Sequence, residues 1–143
     1  MMVPKFRAWD DARDEYFEVR SLSFPVSSND KLGIVATAGV QTAYGPNMIL
    51  EQSTGLKDEG DVDIYEGDIV CVSDVYGDVC YVDAVIWGGK DGYPAFDLKN
   101  HAMEYDSNAL SSIVNGGFEI IEVIGNVHEN PELLEAQHDT RTD

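Results

Sequence analysis

One tight bend followed by a short apolar run constrains this chain more than any other stretch. Tyr65-Glu66-Gly67-Asp68 leads directly into Ile69-Val70-Cys71-Val72. Gly67 has no Cβ to clash at positive φ, and Asp68 carries a short carboxylate that can accept from a nearby backbone N–H, so the pair predicts a turn that launches a strand. Ile69 and Val70 are then core residues. Upstream, Thr54 and Gly55 belong to the same turn-rich run, which makes Thr54, Gly55, Tyr65, Gly67 and Asp68 a structural hub. These residues account for a fold, and no arrangement of them accounts for a reaction.

Strands and turns can be read on both sides of the hub. Lys5 to Trp9 alternates charged with aromatic or small residues, and Tyr16 to Val19 follows the polar bend Asp10-Asp11-Ala12-Arg13-Asp14, which predicts a hairpin. Trp9 is then a core anchor or a stacking platform, and aromatic residues at strand alternation chiefly supply burial, which favours the core. Ser27 to Asn47 has small residues and no amphipathic period. It reads as a long loop carrying a short strand near Leu32 to Ala36, and a loop of that length is a natural place for a partner contact. Met48 to Glu51 reads as a strand feeding the hub.

Beyond the hub, the turn Asp74-Val75-Tyr76-Gly77 predicts a hairpin with Cys71 and Cys80 equally far from its centre, hence cross-strand neighbours in the simplest register. Tyr81 to Trp87 and Tyr93 to Leu98 flank Gly88-Gly89-Lys90-Asp91-Gly92 as the next hairpin. Leu110, Ile113 and Val114 are at helical spacing and predict a short helix that Gly116 and Gly117 end. Phe118 to Ile124 is strongly β-branched and reads as a central strand with Ile124 in the core. Asn130 is placed to cap a C-terminal helix that Pro131 opens, with Leu133 and Leu134 on its apolar edge. Residues 134–143 are expected to fray. A single domain over residues 1–143 is the default for this length.

Nine basic and 27 acidic residues leave a formal charge of −18. A protein that neutralises phosphates needs clustered lysine and arginine, so direct nucleic-acid binding is not expected. The acid excess is either a solvated surface or an imitation of DNA phosphates directed at a DNA-binding partner. Asp10 and Asp11 interrupt any apolar leader, and no apolar run approaches about 18 residues. No membrane association is expected, and a cytoplasmic location follows. There the two cysteines are expected as small reduced residues rather than a disulfide.

The acids Glu51, Asp58, Glu59, Asp61, Asp63, Glu66 and Asp68 surround the single cation Lys57 and raise the question of calcium. Asp61 and Asp63 have the first spacing of an EF-hand loop, but Tyr65 stands where a third oxygen ligand should be. Two cysteines do not make a zinc site. No metal and no cofactor are expected. No Gly-x-Ser-x-Gly, Gly-x-Gly-x-x-Gly or P-loop is present. Among the histidines His128 stands out, since His138 falls in the fraying tail, but a lone histidine explains no reaction. No catalytic residue is assigned, and the chain is not expected to be an enzyme.

Blocks in one order carry a family resemblance. Gln52-x-Thr54-Gly55-Leu56-x-Asp58, with Ile64-Tyr65-Glu66-Gly67-Asp68-Ile69-Val70, resembles the signature of the YopX-like family of phage and prophage proteins. Phe6-Arg7-Ala8-Trp9-Asp10 near the start and Glu122 to Leu134 near the end fit the same family. The match spans about Lys5 to Leu134. It departs at Glu59-Gly60-Asp61, where the family usually has Asn-Gly after a lysine. His128 stands where the family has Tyr or His, an exchange suited to packing or capping. The resemblance implies a mainly β, partly open SH3-like barrel with long loops and a short C-terminal helix, carried by a bacteriophage or prophage and acting in the bacterial host cell. It implies no activity.

The reading is therefore a phage accessory protein that acts by binding a phage or host protein, with Glu66 and His128 as candidate binding residues and self-association at a strand edge as a further route. An acidic DNA mimic and an enzyme of unrecognised type are the alternatives.

Overall fold

The computed structural model describes residues 5–23, 33–38, 41–44, 48–77, 80–88, 95–101 and 109–135; at 20–23, 33–38, 41–44, 80 and 109 it describes the backbone alone. The chain divides into two compact units, Met1–Gln52 and Ser53–Asp143.

In the first unit, β1 (Phe6–Asp10) and β2 (Glu15–Ser23) form the expected hairpin, with Trp9 opposite Tyr16. The Asp10 carboxylate makes the bend, accepting from the backbone N–H groups of Ala12 at 2.9 Å and Arg13 at 3.3 Å. The second strand is followed by β3 (Gly33–Ala38) and β4 (Gln41–Tyr44), which pair as a hairpin. Where the sequence suggested a loop with one short strand there are two strands, because small uncharged residues carry no amphipathic signal yet still make a ladder. The rest of the predicted loop, residues 27–32, 39–40 and 45–47, lies outside the described residues. β5 (Met48–Lys57) lies on the other side of β1, giving the order β4-β3-β2-β1-β5. Ala8, Trp9 and Phe17 are buried, so Trp9 is a core residue, packed edge-on against Tyr16 at 5.0 Å.

In the second unit, the later part of β5 pairs with β6 (Asp63–Tyr65) across an irregularity between Ser53 and Lys57. A separate sheet has the order β10-β7-β8-β9, from β7 (Asp68–Asp74), β8 (Cys80–Trp87), β9 (Phe96–Leu98) and β10 (Glu119–Asn126). The helix α1 (Ala109–Gly116) packs on β9 and β10. Val70, Val72, Val85, Leu98 and Ile121 on the sheet meet Ile64, Leu110 and Ile113 in one core. Leu110 and Ile113 are fully buried, and each such side chain contributes about 1.5 to 3 kcal/mol. The fold is mainly β, as expected; the strands form antiparallel sheets, and no closed barrel exists among the described residues.

Three local expectations are corrected. β10 is an edge strand, not a central one. Ile124 is 37% exposed rather than in the core, because the register passes from Val123↔Val70 to Gly125↔Ile69 and leaves Ile124 as the extra residue of a bulge. Asn130 does not cap forward with its side chain; its Oδ1 accepts from the Asn126 N–H at 3.2 Å, while its backbone carbonyl accepts from Leu133. A helical turn over 132–135 follows.

Candidate functional site

The hub is held by backbone hydrogen bonds at Gly67 and by the side chains of Asp68 and Thr54. Gly67 adopts φ 90°, the conformation for which a glycine was expected there. Its N–H donates to the Val85 carbonyl and its carbonyl accepts from Val127, both at 2.9 Å, so this one residue ties β8 and the 126–130 turn to the bend. Asp68 closes the bend by reaching backward, accepting from the Tyr65 N–H at 2.7 Å. The Thr54 hydroxyl donates to the Ile64 carbonyl at 2.7 Å across the β5 irregularity, and Gly55 takes φ 80° beside it. Ile69 and Val70 are fully buried.

Most of the acids around Lys57 are engaged internally. Asp58 accepts from the N–H groups of Gly60, Val62 and Val123, each at 2.9 Å. Asp63 pairs with Lys57 at 3.1 Å, and that hydrogen bond, with the charges of Asp63 and Asp61, raises the Lys57 pKa. Glu51 accepts from Arg7 Nε and the Tyr16 hydroxyl, both at 2.9 Å. Among the described residues no three His, Cys, Asp or Glu side chains are grouped to hold a metal ion. Glu66 and His128 are half-buried. The Val127-to-Gly67 hydrogen bond brings their two turns together, and the His128 N–H donates to Asn126 Oδ1 at 3.1 Å. Cys71 is disulfide-bonded, against the expectation of reduced thiols. The register sets Cys71 opposite Val82 and Cys80 opposite Ser73, so the cysteines are diagonal rather than direct neighbours. The side chain of Cys80 lies outside the described residues.

The most concentrated polar chemistry was not anticipated. Asp83 is fully buried on the core face of β8, the face that also carries Tyr81 and Val85. Its Oδ2 lies 2.7 Å from His101 Nδ1 and accepts from the Asn100 N–H at 2.7 Å, while Oδ1 accepts from Ala84 N at 2.8 Å and Asn100 Nδ2 at 3.2 Å. A carboxylate offers only lone pairs, so the imidazole Nδ1 is the donor. The His101 ring stacks on Tyr81 with centroids 4.0 Å apart. Such a pair orients an imidazole as a general base requires, yet here the ring is only 5% exposed, and the geometry fixes the chain after β9. Neither residue sits in a recognisable motif: Asp83 and His101 lie 18 positions apart, and only the β8–β9 register brings them together. The alternation Tyr81-x-Asp83-x-Val85, with an acid on an apolar face, was the one available signal.

On the other side of the same sheet Ile69, Ala84 and Asp97 are buried, Ile120 is half-buried and Glu122 is exposed. Ile120 and Glu122 pair with Ser73 and Cys71, on the face opposite to core residue Ile121. Phe118, just before the strand, is 80% exposed and Tyr76, in the β7–β8 turn, is 84% exposed. The pairing of Glu119 with Asp74 sets these two segments at the same end of the sheet. No motif marks these residues either: the sequence places Tyr76 in a turn and Phe118 to Ile124 in a strand, without distinguishing an exposed side chain.

A family model described as YopX protein matches residues 5–135. The chain is 29% identical over 140 residues to the SPβ prophage-derived uncharacterized protein YopX of Bacillus subtilis strain 168, covering 94% of this chain and 98% of that one. It is similar in structure to protein EF1440 from Enterococcus faecalis, with a TM-score of 0.60 and 30% identity over 94% of this chain and 99% of the other. The crystal structure of Bacillus subtilis YopX shows the same fold at a TM-score of 0.59 and 24% identity, covering 91% and 97% of the two chains. With hub, core and both termini of the match in place, the chain belongs to the YopX family of phage and prophage proteins.

Proposed function

We propose that the chain is a phage or prophage accessory protein that acts in the bacterial cytoplasm by binding another protein. One observation carries this reading: Val75 and Tyr76 in the β7–β8 turn, Phe118 just before β10 and Ile124 in its bulge are between 37% and 84% exposed. Large apolar side chains held out in water mark interaction surfaces when they gather on one element. The buried Asp83–His101 pair supports the opposite assignment for the polar groups, that of holding the fold.

The test is capture from a bacterial lysate with immobilised full-length chain and with its Phe118→Ser and Tyr76→Ser variants, washed at low and high salt. A protein retained by the parent through the high-salt wash and lost with either variant supports the reading. Retention that ignores both variants and disappears with salt overturns it in favour of DNA mimicry by the acidic surface.

A further inference from the structure

We infer that Asp58 and Asn130 are edge guards: their side chains take hydrogen-bonding positions of a strand missing beside β10 and keep β10 from pairing with the β10 of a second copy of the chain. β10 is the outermost strand of its sheet, beyond β7. Such a strand presents a row of N–H and C=O groups that another strand can use. In an antiparallel ladder the groups of alternate residues point away from the neighbour. Along β10, groups of this kind are already engaged.

The first half of the edge is held by the loop after β5. Glu59 N–H donates to the Ile121 carbonyl at 3.0 Å, and Val123 N–H donates to Asp58 Oδ2 at 2.9 Å. The other oxygen of the same carboxylate accepts from the Gly60 and Val62 N–H groups, both at 2.9 Å. Asp58 thus grips its own loop with one oxygen and the strand with the other, and Oδ2 stands where the carbonyl of an added strand would accept. Past the bulge the edge is held again: Asn126 N–H donates to Asn130 Oδ1 at 3.2 Å, and the Asn126 carbonyl accepts from the Asn130 N–H at 2.9 Å. Room for this second guard depends on Gly125, since a Cβ there would lie 2.6 Å from Asn130 Oδ1.

The covered segment is one that pairs readily. Glu119-Ile120-Ile121-Glu122-Val123-Ile124 is mostly apolar and β-branched. Pairing of two copies about a two-fold axis through Ile121 sets Glu119 opposite Val123 and Glu122 opposite Ile120 of the other copy. No glutamate then faces a glutamate, so direct like-charge contact does not forbid the pair even in a chain of charge −18. The guards do, by occupying the hydrogen-bonding groups first.

The full chain and its Asp58→Ala, Asn130→Ala and doubly substituted forms are compared by sedimentation over a dilution series, with a urea titration to show that each is folded. Asp58→Ala associates at least about tenfold more tightly than the parent, and the doubly substituted form more tightly still. Edge pairing has a signature that misfolding lacks. In the Asp58→Ala background, Ile120→Glu sets a carboxylate opposite Glu122 of the other copy and reverses the association, whereas Ile120→Lys strengthens it. A folded Asp58→Ala that associates no more than the parent overturns the inference, and so does association that Ile120→Glu and Ile120→Lys change alike. If Asp58→Ala does not fold, Asp58→Asn, which keeps one oxygen acceptor, takes its place in the same series. Failure of both to fold overturns the inference, because the Asp58 bonds would then hold the core rather than cover an edge.

Discussion

Two regions of the β10-β7-β8-β9 sheet break the usual rule for polar and apolar groups: one site on its core face and the turns and bulge at its margins. On the core face, beside Val85 and Leu98, Asp83 is fully buried and accepts from two backbone N–H groups, the Asn100 amide and His101. At the sheet's margins, Tyr76 in the β7–β8 turn, Phe118 just before β10 and Ile124 in the bulge stand exposed. Burial of a polar group is tolerated only when its partners are complete, and here they are. Exposed apolar groups contribute little to folding, and where they gather they mark a contact surface. The contrast separates what holds this protein together from the surface we propose it offers to a partner.

The largest effect is expected at the inner site. Asp83→Ala strands the Asn100 and Ala84 N–H groups and His101, and should cost about 3 to 5 kcal/mol, as breaking a buried hydrogen-bonded pair does; urea denaturation measures it. A cost near zero would break the contrast by showing that the network is dispensable. Gly125→Ala comes next. A Cβ at Gly125 would lie 2.6 Å from Asn130 Oδ1 and 2.9 Å from Asn130 Cβ, so the 126–130 turn must shift at about 1 to 3 kcal/mol, read as a lowered melting temperature. The margins should behave differently: Ile124→Thr is expected to change stability by less than about 1 kcal/mol, measured by the same urea titration. A larger loss would mean that Ile124 belongs to the core after all.

The smallest effect sharpens the comparison from a third position. Lys57 is exposed and its pKa is raised by Asp63 and Asp61 above the ordinary 10.5. A raised folded value means that its contribution is fully present below the unfolded pKa and is lost as pH rises through the folded one. Stability measured from neutral to strongly alkaline pH should therefore show a slight decline above about pH 10.5 in the parent that is missing in Lys57→Gln, small because exposed ion pairs are screened.

Much of the fold was legible because its signals are local. Gly67 with Asp68, Asp10 before its bend, and Leu110 with Ile113 each declare their structure within a few residues. What escaped was relational. The bulge at Ile124 arises from the register against Ile69 and Val70, and a run of β-branched residues looks the same at a sheet edge as at its centre. The β3–β4 hairpin lacks alternation because its residues are small. The Asp83–His101 pair is made by the β8–β9 ladder, and the Cys71 disulfide depends on side-chain geometry that a symmetric turn count misjudged by one rung. Of the candidate site, the sequence pointed to Glu66 and His128, whose turns meet through Gly67, while the exposure of Tyr76, Phe118 and Ile124 is set by tertiary packing that no local pattern declares.

The measurement that bears most directly on the contrast is made on one sample of the Phe118→Ser variant, by recording its urea midpoint and its retention of a lysate partner side by side. An unchanged midpoint with lost retention is the expected result. A lowered midpoint, or retention equal to that of the parent, would contradict the assignment of the exposed Phe118 to binding.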